Sequence, residues 1–278
     1  MADSSCLNNL IHYTFMNIIE AMNERRSVRT FNGESISDSQ KSALLTAIED
    51  SFSPFGGNVS IRLKNFDLKA GYTPGTYGTI KGASDFFLVA FGNDDASALS
   101  AGFRFEQVVL QAWQLGLGSC WIAATFKGSD FERGELWRDG ESLRIVCPVG
   151  IAAKPGIRER LTRLTFGSKN RKPFEKLFFY SDFTREVSPG NRFAEALEMM
   201  RLAPSSVNSQ PWRALVIGDT VHFYYTPKSN LSLIDCGIGL CHFYEDERFH
   251  GHAGRFSKTD NPPAPPHGWK YLISYTAS

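Results

Sequence analysis

Apolar residues recur every three to four positions in five stretches of the chain, and this spacing predicts a helix in each of them. The first covers residues 8–23. The second begins at Ser37, whose residue type favours the N-cap position. The other three are predicted over 98–115, 191–202 and 235–249.

Short apolar or alternating runs, bounded by Gly, Pro, Asn or Asp, predict the strands. They cover residues 59–63, 85–91, 143–152, 214–218, 221–225 and 269–276. Two further segments, 70–82 and 250–266, are rich in glycine or proline. We predict that both are loops without regular structure.

The predicted elements occur twice in the order helix, loop, strand, strand, helix, strand. In each copy a proline and an asparagine lie four residues apart in the loop, and two glycines lie fourteen residues apart around the second helix. These residues are Pro54, Asn58, Gly102 and Gly116 in the first copy and Pro204, Asn208, Gly237 and Gly251 in the second. Chance similarity between short signals is the alternative. We predict two related halves, residues 1–178 and 179–278, the second shortened by a loop deletion.

Composition narrows the class of protein. The 278 residues carry a formal net charge of +1, which argues against a general nucleic-acid or membrane-surface partner. No apolar run approaches the length of a membrane span, and the N-terminus lacks the pattern of a signal peptide. The five cysteines are scattered and form no CxxC pair, which predicts reduced thiols and a cytoplasmic location.

Two polar segments in opposite halves could bind a polar ligand. Residues 25–29 (RRSVR) place three arginines beside a serine, and guanidinium groups bind phosphate through two hydrogen bonds at once. Residues 203–212 (APSSVNSQPW) combine small hydroxyls and carboxamides between two prolines. The alternatives are a solvated basic surface for the first segment and an ordinary helix-to-strand turn for the second.

Four motifs together resemble the FMN-dependent nitroreductase superfamily, in its fused pseudo-dimer type. They are NERRSVRTF at 23–31, LGLGSCWIA at 115–123, RKPFEKL at 171–177 and APSSVNSQPW at 203–212. The resemblance implies an α+β fold, a three-layer α/β/α sandwich with a mixed, mostly antiparallel sheet, duplicated within one chain. Members of the family are normally homodimers whose FMN sites use one motif from each subunit. Here both motifs lie in one chain, so the halves are expected to intertwine, and the protein to be a monomer or weak homodimer with one site.

The resemblance also implies which residues bind FMN. The phosphate, ribityl chain and pyrimidine edge are assigned to Arg25, Arg26, Ser27, Arg29, Lys169 and Arg171. The ring and ribityl walls are assigned to Pro204, Ser205, Ser206, Asn208, Trp121, Ile122, Ala123 and Ala124, the last four through backbone N–H groups. Gln210 and Trp212 are either ligands or supports, and Lys81 is a further candidate. The family often has an acidic residue at the position of Ala123.

The activity implied is ping-pong hydride transfer. NADH or NADPH would reduce FMN at N5, and a small organic acceptor such as a nitroaromatic or quinone would then be reduced. No side chain is predicted to act as acid or base. The alternatives are a flavin-binding protein without reductase activity and a scaffold that has lost FMN. No metal site is predicted, because the cysteines and histidines near residue 242 lack ligand spacing.

Overall fold

A computed structural model of the protein describes residues 16–68, 74–154 and 170–278, and within these ranges the chain forms two β-sheets and six α-helices. The helices are α1 (Ile18–Glu24), α2 (Asp38–Asp50), α3 (Asp95–Gln114), α4 (Gly128–Glu132), α5 (Ala194–Leu202) and α6 (Ser232–Phe249). Residues 8–15 of the first predicted helix lie outside the described ranges.

Side-chain caps fix where the first two helices begin. The Asn17 carboxamide accepts the Glu20 N–H, and the Glu20 carboxylate accepts the Asn17 N–H. Ser37 and Gln40 form the same capping box at the start of α2. This confirms the N-cap predicted at Ser37. The Asn17 backbone is extended, so the first described helix begins at Ile18, ten residues after the predicted start at residue 8.

The first sheet has the strand order β1-β2-β4-β3 and the second has the order β6-β5-β7-β8-β10-β9. The first sheet contains β1 (Val59–Asn65), β2 (Asp85–Phe91), β3 (Gly118–Ser119) and β4 (Ser142–Gly150). The second contains β5 (Phe178–Tyr180), β6 (Asp182–Glu186), β7 (Trp212–Ile217), β8 (Thr220–Tyr225), β9 (Gly254–Ser257) and β10 (Lys270–Ala277). All strand pairs are antiparallel except β5 with β7, so the predicted mixed, mostly antiparallel α+β fold is confirmed.

The order β1-β2-β4-β3 in the first sheet matches the order β7-β8-β10-β9 in the second. In each sheet a long buried helix follows the second of these strands, α3 after β2 and α6 after β8. Gly116 and Gly251 occupy equivalent places just beyond those helices and have φ values of +78° and +72°. The position just after a helix C-cap often takes the left-handed backbone conformation, and glycine is favoured there.

The two long helices pack directly against each other between the sheets. α3 contacts the strands of the first sheet, and α6 contacts β7 and β8. A Cβ atom at Gly237 would lie 2.1 Å from the Leu99 carbonyl oxygen and 3.0 Å from the Gly102 Cα. The backbones can approach this closely only because neither glycine has a side chain. The core of the protein is centred on this helix pair.

One loop prediction was wrong. Residues 254–257, within the predicted loop 250–266, form the edge strand β9 and pair with β10. Gly254 is needed for packing rather than for a turn, since a Cβ there would lie 2.4 Å from the Tyr275 ring. The short elements α4, β5 and β6 were not predicted, because each is too short to carry a recognisable period. Within the described ranges, the helices are too short or too polar to cross a bilayer.

Candidate functional site

The RRSVR segment lies beside β3 of the first sheet, where Ser27 forms an isolated parallel bridge with Ser119. α1 ends at Glu24, and Arg25 takes an extended conformation as its C-cap. The Val28 N–H donates to the Ser119 carbonyl at 2.9 Å, and the Lys81 N–H donates to the Arg29 carbonyl at 2.9 Å. The segment is therefore held between the end of β3 and the glycine-rich loop, directly beside the loop that follows β3.

Arg25 is the most buried arginine of this segment. Its side chain is 6% exposed, and its Nε lies 3.8 Å from the Glu106 Oε1. Its Nη1 is buried and has no hydrogen-bond partner among the described residues. The other members are less enclosed: Arg26 is exposed and stacks over the Trp113 ring, and Arg29 is half-buried. Arg25 thus has a buried donor atom without a partner in the described part of the chain, which is costly unless a ligand accepts its hydrogen bond.

The APSSVNSQPW segment forms a strained turn. Its residues 206–208 make one turn of 3₁₀ helix, and Val207, Asn208 and Gln210 have φ values of +45°, +55° and +43°. Val207 is β-branched, so this conformation is a true outlier, and its side chain is 71% exposed. A strained backbone of this kind persists only where neighbouring residues hold it, and strained residues are most frequent at ligand-binding and active sites.

Gln210 and Asp235 hold the strained turn in place. The buried Gln210 side chain donates to the Asn208 carbonyl and Oδ1 and accepts the Lys172 N–H at 2.8 Å. The Asp235 carboxylate accepts the Ser206 N–H at 2.9 Å and the Ser209 hydroxyl at 3.0 Å. Gln210 is therefore placed as a support. Pro204 and Ser205 are half-buried, and the Ser205 hydroxyl accepts the Gln210 N–H.

Burial raises the pKa of Asp235 from 3.8 to about 6, despite the two hydrogen bonds that favour the ionised form. The folded chain therefore binds this proton more tightly than the unfolded chain, and the stability that the proton supplies is lost as the pH rises from about 4 to about 6. For Asp235→Asn we expect this part of the pH dependence to disappear. The unfolding free energy of the variant relative to wild type should increase by about 3 kcal/mol between pH 4 and 7.

Urea unfolding of both proteins at several pH values measures this change. The carboxamide introduced by this substitution would retain one carbonyl acceptor for the turn, so the fold is expected to survive. A difference between the two proteins that stays constant from pH 4 to 7 would rule out the raised pKa.

Arg171 connects the RKPFEKL motif at 171–177 to the strained turn. Its guanidinium donates to the Asn208 Oδ1 and to the Leu202 carbonyl, the latter at 2.7 Å. Burial and the positive charges of Arg25 and Arg201 lower its pKa to about 10. The positive charges of Arg25, in the RRSVR segment, and Arg171, which is bonded to the turn at Asn208, are thus close enough to repel each other. Lys169, the other predicted cation of this motif, lies outside the described residues.

The loop after β3 forms the remaining wall. The Trp121 indole N–H donates to the Glu106 Oε2 at 2.9 Å, and its ring packs against Phe105. The Ile122 N–H donates to the Val146 carbonyl at 3.0 Å, so this amide is engaged in the fold. No partner within the described ranges occupies the amides of Ala123 and Ala124. Of the four predicted backbone N–H groups, that of Ile122 is engaged, and those of Trp121, Ala123 and Ala124 have no partner within the described ranges.

Sequence reasoning did not identify Glu106 or Asp235 as part of the site. Apart from Asp95 in the first turn, Glu106 is the only acidic residue of α3, and that was the available signal. No group of three or more potential ligands within the described ranges could hold a metal ion. A surface hollow of about 550 Å³ is formed by α2 and Gln111, and none of its lining residues is a predicted cofactor residue.

Comparisons with known proteins place this geometry among nitroreductases. A family described as "Putative TM nitroreductase" matches residues 17–246. The solved structure of a "putative nitroreductase" from Thermotoga maritima is 18% identical and has a TM-score of 0.60. It aligns over 94% of this chain and 93% of its own length, which shows a shared fold.

Shorter solved structures align with about half of the chain. An "FMN-dependent Nitroreductase" of Clostridium difficile is 17% identical, with a TM-score of 0.40, over 49% of this chain and 88% of its own. A "Nitroreductase with Bound FMN" of Bacteroides fragilis is 16% identical, with a TM-score of 0.42, over 51% of this chain and 91% of its own length. No curated protein matches the chain significantly.

Proposed function

Because this chain belongs to the family described as "Putative TM nitroreductase", we propose that it is an FMN-dependent oxidoreductase that uses NADH or NADPH to reduce a small organic acceptor. Nitroaromatics and quinones are the acceptor classes we favour. The observation that carries the proposal is the placement of two arginines near each other: Arg25 of the RRSVR segment, and Arg171, which is bonded to the strained turn at Asn208.

The residues present fit the phosphate of FMN. Two guanidinium groups repel each other unless an anion lies between them, and a phosphate dianion accepts hydrogen bonds from both. The buried Arg25 Nη1 without a partner supplies one such donor. Arg171 would supply further donors, while its bond to Asn208 fixes it to the strained turn.

The chemistry that FMN supplies when bound is acceptance and donation of hydride at N5. The role of the chain is to bind and orient the ring. The open amides of Ala123 and Ala124 suit the polar edge of a flavin ring, and the turn at residues 204–208 would close the opposite side. No side chain of the described site is required to act as an acid or base.

We propose that the chain arose by duplication and that its second, equivalent site is closed. The matching strand orders support duplication. In the first half the loop equivalent to the strained turn contains Phe55, whose ring lies 5.2 Å from that of Phe103 and 5.3 Å from that of Phe256. Gly57 of this loop approaches Ser97 so closely that a Cβ would lie 2.4 Å from its nitrogen. These aromatic contacts and the close backbone approach support closure of the second site.

We therefore expect one FMN per chain. Apoprotein saturated with FMN and freed of excess ligand would be denatured, and the released flavin compared with the protein concentration. A ratio near one supports a single site, whereas a ratio near two would contradict closure of the second.

The activity itself is tested by anaerobic titration of the FMN-loaded protein with NADH and, separately, with NADPH. Bleaching of the flavin by either, followed by recovery on addition of a nitroaromatic or quinone, would support the proposal. If flavin binds but neither nucleotide bleaches it, the protein is a flavin binder without reductase activity. If added FMN produces no bound-flavin spectrum, the protein is a scaffold that has lost the cofactor.

A further inference from the structure

A buried polar cluster, outside the predicted cofactor motifs, is centred on Glu106 of α3. Its carboxylate is fully buried, with Oε1 at 3.1 Å from the His242 Nε2 and 3.8 Å from the Arg25 Nε. Its Oε2 accepts the Trp121 indole N–H at 2.9 Å. The three partners come from the RRSVR segment, the loop after β3 and helix α6, so one carboxylate contacts two walls of the site and the opposite half of the chain.

A carboxylate at a tight helix interface is not needed for packing. Removing a charge from water is costly, and apolar residues of similar volume often stabilise such a position as well as an ion pair does. The carboxylate is retained among apolar neighbours such as Phe105 and Val109, both fully buried. What Glu106 provides that an apolar residue could not is a fixed orientation for its two site partners.

The orientation of Arg25 follows from this contact. The Glu106 Oε1 lies 3.8 Å from the Arg25 Nε, and the buried Arg25 Nη1 has no hydrogen-bond partner among the described residues. The attraction of the carboxylate holds the Nε edge toward Glu106, which leaves the Nη1 donor for a ligand. The same carboxylate fixes the Trp121 ring, and with it the start of the loop that carries the Ala123 and Ala124 amides.

We propose that Glu106 is a positioning residue that orients Arg25 for the flavin phosphate and Trp121 for the ring-side loop. This inference rests on the proposed function. In Glu106→Gln a carbonyl oxygen remains to accept the Trp121 indole N–H, whereas the negative charge that faces Arg25 is lost, so binding of the phosphate should weaken in particular. Riboflavin, which has the ring and ribityl chain but no phosphate, reports the ring-side contribution alone.

Glu247 of α6 provides a matched control. Its carboxylate is 1% exposed and lies 3.2 Å from both the Arg192 Nη2 and the His252 Nδ1. It therefore shares the residue type, the burial and the arginine and histidine partners of Glu106. Neither of its partners is a predicted cofactor residue. Any loss of flavin affinity that reflects only a disrupted buried ion pair should therefore appear whether Glu106 or Glu247 is replaced.

The experiment measures FMN and riboflavin dissociation constants for wild type, Glu106→Gln and Glu247→Gln by flavin-fluorescence titration of apoprotein, with thermal unfolding of each. For Glu106→Gln we expect FMN affinity to fall about tenfold or more, while riboflavin affinity falls less than about threefold. Glu247→Gln should lose thermal stability without changing the ratio of the two constants.

An unchanged riboflavin-to-FMN ratio in Glu106→Gln, or an equal change in Glu247→Gln, would overturn the inference while leaving the proposed function intact. No FMN binding by wild type would overturn both. If Glu106→Gln does not fold, Glu106→Asp and Glu247→Asp keep the charge and retract the carboxylate by one methylene. The same selective loss of FMN affinity is expected for Glu106→Asp, and its absence would count against the proposal.

Discussion

Replacing Arg25 and Arg171 together by alanine is expected to abolish FMN retention in a protein that still folds. Each hydrogen bond from a charged group contributes about 1.5–3 kcal/mol, so removal of both arginines should weaken binding by roughly 10²–10⁴-fold. The change removes two separate donors from the proposed phosphate site, because Arg25 follows α1 and Arg171 is bonded to the turn at Asn208. Riboflavin affinity should change much less.

Flavin occupancy after gel filtration and the FMN dissociation constant measure the effect, and circular dichroism shows whether the variant is folded. Arg62→Ala with Arg192→Ala is the matched control. Each of these arginines forms an ion pair and lies over an aromatic ring, as Arg62 does with Glu135 and Trp137. The control should retain FMN. Wild-type occupancy in the folded Arg25/Arg171 variant would remove the phosphate site from the proposal.

Lysine variants separate charge from geometry. A lysine at both positions keeps the positive charge but loses the planar fork that binds two phosphate oxygens at once. We expect FMN affinity between those of wild type and the double alanine variant. This intermediate value would show that electrostatic attraction alone accounts for only part of the binding.

Local sequence patterns predicted most of the regular elements because each depends on its own residues. Residues 86–91 are all apolar, and the structure buries them, together with Asp85, as β2 between β1 and β4. The predicted helices over 98–115 and 235–249 correspond to α3 and α6 within a few residues. By contrast, β9 exists only because β10 offers it an edge, and that pairing has no signal within residues 254–257 themselves.

The candidate site was predictable at the level of motifs but not of contacts. The resemblance assigned Arg25 and Trp121 to one ligand, and the structure adds that both contact Glu106. The contact between Glu106 and His242 joins residues 136 positions apart, a separation that no local pattern encodes. The support of the strained turn by Asp235 likewise depends on how α6 packs. Long-range packing therefore determines which polar residues serve the motifs.

The glycine at the contact between the two long helices gives the largest expected effect on stability. In Gly237→Ala the new methyl group would lie 2.1 Å from the Leu99 carbonyl oxygen and 2.8 Å from the Phe103 nitrogen. Both atoms belong to the backbone, so no side chain can move aside and the helices must separate. Overpacking costs about 1–3 kcal/mol, occasionally more, and the better helix propensity of alanine returns only about 1 kcal/mol. Because both contacts are with rigid backbone, we expect the upper end of this range and a net loss of about 2 kcal/mol, or roughly 4–8 °C in Tm.

Gly239→Ala, on the same helix, isolates the backbone contact from the general cost of an added methyl group. The nearest atoms there belong to the side chains of Trp212 and Met200, at 3.1–3.3 Å, and a methionine can adjust. Thermal unfolding should therefore show a much smaller loss for Gly239→Ala, and equal losses would contradict the close approach of α3 and α6. Because these helices carry Glu106 and Asp235, separating them should also displace both walls of the site. Gly237→Ala should then weaken FMN binding at temperatures where it remains folded, which links the packing of the helix pair to the ligand site.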